Sequence, residues 1–120
     1  MEVKELLRGG GFLVKESPCD SIFTPEDFSE EQLMMRDAVK EFNDREVIAK
    51  RDRFEAKDYA LTEAVMRKAG VMGFLGVSVP KAYGGLEMGF VSSMLVCEYI
   101  SSGTGSFSTA FGAHTGIGTM

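Results

Sequence analysis

The sequence predicts an all-α fold, an up-and-down helical domain of about five helices. Three observations carry that reading. Apolar residues recur at spacings of three and four, helix start and stop residues bracket each such run, and no segment alternates apolar and polar side chains as a half-buried strand would. The 120 residues are one domain's worth, and a chain of that length buries roughly two-thirds of its surface on folding. Apolar residues make up 44 % and charged residues 26 %, as in ordinary globular chains.

The elements follow in order. Residues 1–21 carry Gly9, Gly10, Gly11 and Pro18 and read as a flexible N-terminal arm, with Phe12-Leu13-Val14 as a short apolar piece suited to docking. Thr24, Pro25, Glu26 and Asp27 then read as N-cap, first-turn proline and two acids facing a helix dipole, a single turn ending near Phe28. The longest helix starts at Ser29, where Gln32 completes a capping-box pattern. Leu33, Ala38, Phe42 and Ile48 or Ala49 form its stripe, widened by Met34, Met35 and Val39, and it is expected to run unbroken to between Arg51 and Ala56. Glu41 with Arg45 and Glu46 with Lys50 stand four apart on it, in the favourable order.

Thr62 is expected to cap a third helix, Glu63 to Ala69, facing inward through Val65, Met66 and Ala69 and stopped by Gly70 or Gly73. Residues 74–80, Phe-Leu-Gly-Val-Ser-Val-Pro, read as an extended buried connector, and Tyr83-Gly84-Gly85 as a turn. A fourth helix runs from about Gly89 to Ser102, apolar on most sides. A fifth runs from about Gly105 to the end, built of Gly, Ala, Ser and Thr around Phe107, Phe111 and Ile117.

Charge sharpens the picture. The net charge of -5 argues against nucleic acid and anionic membrane surfaces, which need clustered Lys and Arg. Residues 1–15 mix acids with bases and no apolar stretch of leader type follows, so a reducing, cytoplasmic setting with Cys19 and Cys97 as free thiols is expected. From Met88 to Met120 the only charged residue is Glu98. So bare a stretch makes a poor water-facing surface. The preceding residues look too few and too polar to cover it, which reads as a chain cut off before the domains that would.

Among candidate constellations, Gly116-Ile-Gly118 lacks the preceding strand and third glycine of a dinucleotide loop. The run holding Gly112 and Gly116 is too poor in Leu, Ile and Val for a membrane span, so these glycines read as a place where soluble helices approach closely. His114 is the sole histidine, which excludes a metal site built on two histidines. A Cys97–His114 nucleophilic pair is disfavoured by an apolar setting for the thiol. His114 reads instead as lining an apolar pocket or bonded to a backbone carbonyl. Glu98, a lone acid in an apolar helix, reads as a structural ion pair with Lys or Arg of an earlier helix rather than as a general base. The eight methionines read as core filler.

Several stretches together resemble the opening domain of the acyl-CoA dehydrogenases. They are Phe23-Thr-Pro-Glu-Asp-Phe-Ser-Glu-Glu-Gln32, the run from Arg67 to Gly89 closing in Pro80-x-x-x-Gly84-Gly85, Cys97-Glu-Tyr-Ile100, and Gly112-Ala-His-x-x-Ile-Gly118. The likeness spans about residues 22–120, and the His-containing form is most similar to the very-long-chain and related bacterial branches. It implies an N-terminal helical domain over 22–120, followed in whole members by a middle β domain and a C-terminal helical domain, usually in homo-oligomers. It implies an FAD enzyme in which a carboxylate takes the α-proton of a fatty acyl-CoA and the β-hydride passes to the flavin. Electrons then go to an electron-transferring flavoprotein. The base and most flavin contacts belong to the other domains, so no catalytic or cofactor-binding residue is expected here. By position, the acyl-chain wall falls to Phe107, Ser108, Ala110, Phe111 and His114, with Met94 or Cys97 behind, and the small residues imply a medium-to-long acyl preference. Acyl-CoA oxidases and some flavin monooxygenases share this domain, and a non-catalytic helical interaction module is the reading from another class.

Overall fold

The computed structural model describes residues 6, 7 and 9–119. Expectations for residues 1–5, 8 and 120 lie outside the described residues. Every regular element among the described residues is helical, in agreement with the all-α expectation. The chain divides into two compact units, residues 1–30 and 31–120.

In the first unit, the expected arm contains a one-turn helix, α1 (Gly11–Val14), and a 3-10 turn, Cys19–Ser21. The Leu7 N–H donates to the Ser21 carbonyl at 2.9 Å and joins the two ends of this stretch. Phe12, Leu13 and Val14 are exposed. The turn expected at 24–28 forms as a 3-10 turn, Pro25–Asp27, with the Thr24 N–H donating to the Asp27 carboxylate at 2.9 Å. Phe23 and Phe28 flank it with ring centroids 5.6 Å apart.

The second unit departs from expectation in three places. The long helix is not continuous. α2 (Glu30–Phe42) gives way to a wide π-turn, Asn43–Val47, then a 3-10 turn, Ile48–Lys50, before α3 (Arg51–Glu55). Spacings of three and four did not reveal this turn; such single π-turns inside α-helices are found frequently at functional sites. Asn43 is buried at the junction. The two ion pairs foreseen across this region both form, Glu41–Arg45 at 2.8 Å and Glu46–Lys50 at 2.5 Å.

The second departure is the start of α4 (Tyr59–Val71). It begins earlier than expected because Asp58, not Thr62, is the cap: its carboxylate accepts the Leu61 N–H at 3.0 Å. The Thr62 hydroxyl donates to the Asp58 carbonyl at 3.2 Å, inside the first turn. The expected stop is Gly73, in the left-handed region at φ 82°, while Gly70 stays within the helix.

Third, residues 74–80 are folded rather than extended. Phe74–Gly76 makes a 3-10 turn, Lys81–Tyr83 another, and the chain doubles back. The N–H groups of Leu86, Glu87 and Met88 donate to the carbonyls of Gly76, Val79 and Val77 at 2.9–3.0 Å. The reversal depends on Gly85, where an added Cβ would lie 2.0 Å from the Val79 carbonyl oxygen. Apolar composition pointed to burial, correct for Phe74 and Val77, but could not show that the segment answers its own backbone polar groups.

α5 (Gly89–Ser101) and α6 (Gly105–Thr115) form the last hairpin, within one turn of expectation at α5. Thr104 caps α6, its hydroxyl accepting the Ser106 N–H at 3.3 Å. α5 packs on α6, and α3 packs on both α4 and α6. One core results: Phe42 meets Phe74 edge-on with centroids 5.4 Å apart, Phe54 lies 5.3 Å from Phe107, and Phe107 lies 6.3 Å from Phe111. Val39, Val47, Val65, Ala69, Val96 and Ile100 fill between the rings. Each ring removed from water contributes by its apolar area plus the edge-to-face or tilted contact it makes.

Candidate functional site

Two concavities mark the second unit. One is an open groove of about 400 Å³ lined by Phe42, Glu46, Arg67, Lys68, Val71 and Met72. Its charges largely answer one another: Glu46 accepts from Lys50 at 2.5 Å and Lys68 at 2.8 Å, and Arg67 donates to Glu63 at 2.7 Å. The Lys50 hydrogen bond first, and the Lys68 one second, hold the Glu46 carboxyl below its ordinary range.

The other is a more enclosed cleft of about 180 Å³ in the α5–α6 hairpin. α5 contributes Phe90, Met94 and Cys97, α6 contributes Phe111, Gly112 and Thr115, and the folded connector closes one side with Leu75 and Val77. None of the lining residues is charged. It sits toward the start of α5 and the end of α6, so it lies at the hairpin end remote from the turn at Ser102–Thr104. Burial pushes the Cys97 thiol upward, away from the thiolate that a nucleophile needs.

Around this cleft the surface is as uncharged as the sequence. Phe90 is 74 % and Ile117 is 88 % exposed, with Val91 and Met94 beside them in α5. Gly112 faces open space, since an added Cβ would meet nothing within 4 Å. The close helix approach expected at the Gly112–Gly116 pair therefore has no second helix among the described residues to supply it.

The residues singled out from the sequence are distributed unevenly. Phe111 lines the cleft, and Met94 and Cys97 line its α5 side. Phe107 lies in the core between Phe54 and Phe111. Ser108 and Ala110 are half-buried on α6 outside the cleft lining, and His114 is exposed. Glu98 corrects an expectation: it is exposed and makes no ion pair with any described residue. Sequence reading missed Leu75, Val77 and Phe90. The first two sit in the connector taken as extended, and the third was counted only as one more apolar residue of a helix.

No cluster of three or more His, Cys, Asp or Glu side chains arranged for a metal occurs among the described residues. No described helix is long and apolar enough to cross a membrane.

Comparison with known proteins bears on this face. The family model of the acyl-CoA dehydrogenase N-terminal domain matches residues 29–120. A Bacillus subtilis (strain 168) protein described as a probable acyl-CoA dehydrogenase is 37 % identical over 116 residues, covering 97 % of this chain and 19 % of the relative. The mitochondrial isovaleryl-CoA dehydrogenase of Pongo abelii is 29 % identical over 90 residues, 74 % of this chain and 21 % of that one. The crystal structure of an acyl-CoA dehydrogenase complexed with FAD from Bacillus anthracis superposes with a TM-score of 0.83 at 39 % identity, over 92 % of this chain and 19 % of that chain. This chain spans about a fifth of the length of the curated relatives it matches.

Proposed function

We propose a function from one premise: this chain belongs to the family of acyl-CoA dehydrogenase N-terminal domains. It serves as the acyl-chain wall of an FAD-dependent acyl-CoA dehydrogenase, which converts fatty acyl-CoA to trans-2-enoyl-CoA. One observation carries the reading. The α5–α6 face is exposed, carries Glu98 as its one charged residue, and is indented by a cleft with no charged lining, as a surface made to close over a hydrocarbon chain should be.

The residues of the α5–α6 cleft do not fit the flavin itself. The cleft of about 180 Å³ is smaller than the pockets that enclose ligands of drug size, and residues 88–119 hold no Lys or Arg to meet a pyrophosphate. The resemblance to the family implies that the base that takes the α-proton and most flavin contacts belong to the middle and C-terminal domains of the whole enzyme. What this chain supplies is exclusion of water and a fitted surface for the acyl tail, through Phe111, Met94 and Cys97 at the cleft. Phe107 acts from behind as support, and Ser108, Ala110 and His114 extend the wall where the other domains close on α6. Small side chains there leave a deep slot, suited to medium-to-long acyl chains.

Electrons leave by an electron-transferring flavoprotein, and the enzyme works as a homo-oligomer. The acidic balance and two unpaired thiols support a cytoplasmic setting. The test is anaerobic mixing of the full-length protein with acyl-CoA thioesters of graded length. Bleaching of the flavin absorbance, strongest for medium and long chains, is expected. Bleaching by short chains alone would overturn the depth argument, and none with any thioester would overturn the activity. Rapid peroxide formation on readmitting air would favour an oxidase.

A further inference from the structure

Asn43 is the most anomalous side chain of the second unit. It is 1 % exposed, its Oδ1 has no hydrogen-bond partner among the described residues, and it stands in the π-turn that breaks the long helix. A buried acceptor left unanswered is a liability for stability, so its retention in the core asks for another role. Its contacts point to one. Its amide nitrogen donates to the Ser102 hydroxyl at 3.2 Å, and that hydroxyl donates in turn to the Tyr99 carbonyl at 2.7 Å. Its Oδ1 faces Gly103 so closely that a Cβ there would lie 2.6 Å away, with Val47 Cγ1 at 2.8 Å.

A second clamp holds the same turn from α3. The buried Thr104 hydroxyl and the Ser106 hydroxyl both donate to the Glu55 carboxylate, the latter at 3.3 Å. The α5–α6 turn is thus gripped from the break in the long helix, at Asn43, and from the end of α3, at Glu55. The cleft opens at the other end of the hairpin. Gly112 lies roughly 12 Å along α6 from Thr104 at about 1.5 Å per residue. A rotation of only ~5° at the turn therefore moves the cleft wall by ~1 Å, enough to spoil a fitted contact.

We propose that Asn43 and Glu55 are positioning residues that set the splay of the α5–α6 hairpin, and with it the depth of the acyl cleft. The inference rests on the wall function proposed above and extends it to residues that touch no substrate. The test compares Asn43→Leu with the wild type in the full-length protein. Leucine keeps the shape of the amide and abolishes both its donor and its unanswered acceptor, so the urea midpoint should stay near the wild-type value. The kcat/KM for the longest thioesters should fall about tenfold while that for the shortest stays within about twofold. Thr104→Val, read against Thr104→Ser, repeats the comparison at the second clamp if Asn43→Leu fails to fold, and the serine variant should restore the profile. A uniform loss at every chain length, or an unchanged profile, overturns the clamp and leaves the wall function standing. A wild type inert toward every thioester overturns the wall function and the clamp with it.

Discussion

The helices α2–α4 and the hairpin α5–α6 solve the same problem in opposite ways. In α2–α4 the polar face answers itself. Glu41 with Arg45, Glu46 with Lys50 and Lys68, Arg53 with Asp58, and Glu63 with Arg67 all pair within this stretch, so its exposed apolar residues, Met34, Tyr59 and Val71 among them, share the surface with paired charges. The hairpin buries Val96, Ile100, Phe107 and Phe111 just as thoroughly, yet its outer face carries Phe90, Val91, Met94 and Ile117 into solvent with one charge in sight. Both regions fold by the same burial. Only one of them is finished as a surface, and an unfinished surface is where function is to be sought.

The comparison can be broken from its strongest point first. Phe107 is fully buried and touches the rings of both Phe54 and Phe111, so it joins the two regions. Phe107→Ala should destabilise the domain by about 3–5 kcal/mol, read from the urea midpoint. A loss below about 1 kcal/mol would mean that the two regions do not share one core. Next comes the exposed face. Without a covering surface the isolated chain should self-associate, and Phe90→Ser with Ile117→Ser should lower its mean mass in light scattering while changing stability by less than about 1 kcal/mol. A wild-type chain that stays monomeric at high concentration would show the face to be tolerable in water.

The smallest effect concerns the self-paired region. Hydrogen bonds from Lys50 and Lys68 lower the Glu46 carboxyl, and the Leu61 N–H together with Arg53 lowers that of Asp58. Both contribute stability that is present above the unfolded carboxylate range and is lost as pH falls through the lower folded values, that is, below about pH 4. Both groups are near the surface, so the loss should be modest and should shrink further in added salt. Equal urea midpoints at pH 3 and pH 7 would show that these pairs contribute nothing.

Much of this was legible in the residues. Helical spacing located α2 and α4–α6, Gly73 located a stop, and the loss of charge after Glu87 located the unfinished face. What stayed hidden depends on long-range contact. The π-turn is a tertiary event, in which Asn43 meets Ser102 and Gly103 across the fold, and no local periodicity registers it. The Asp58 cap lost to Thr62 in reading because both residue types cap helices, and only the backbone direction decides between them. The cleft wall was located by helix but not by face. Ser108, Ala110 and His114 lie off the lining, and Phe107, one turn from Phe111 and equally buried, sits between Phe54 and Phe111 nearer the α5–α6 turn.

The central claim is that the α5–α6 cleft receives an acyl chain, and Gly112 offers the most direct test of it. An added Cβ there meets nothing within 4 Å, and Gly112 lines the cleft together with Phe111. The measurement is kcat/KM across acyl-CoA thioesters of graded length for Gly112→Leu in the full-length protein. The account predicts a loss confined to the longer chains, with the optimum moved toward shorter ones. A profile identical to that of the wild type would contradict it.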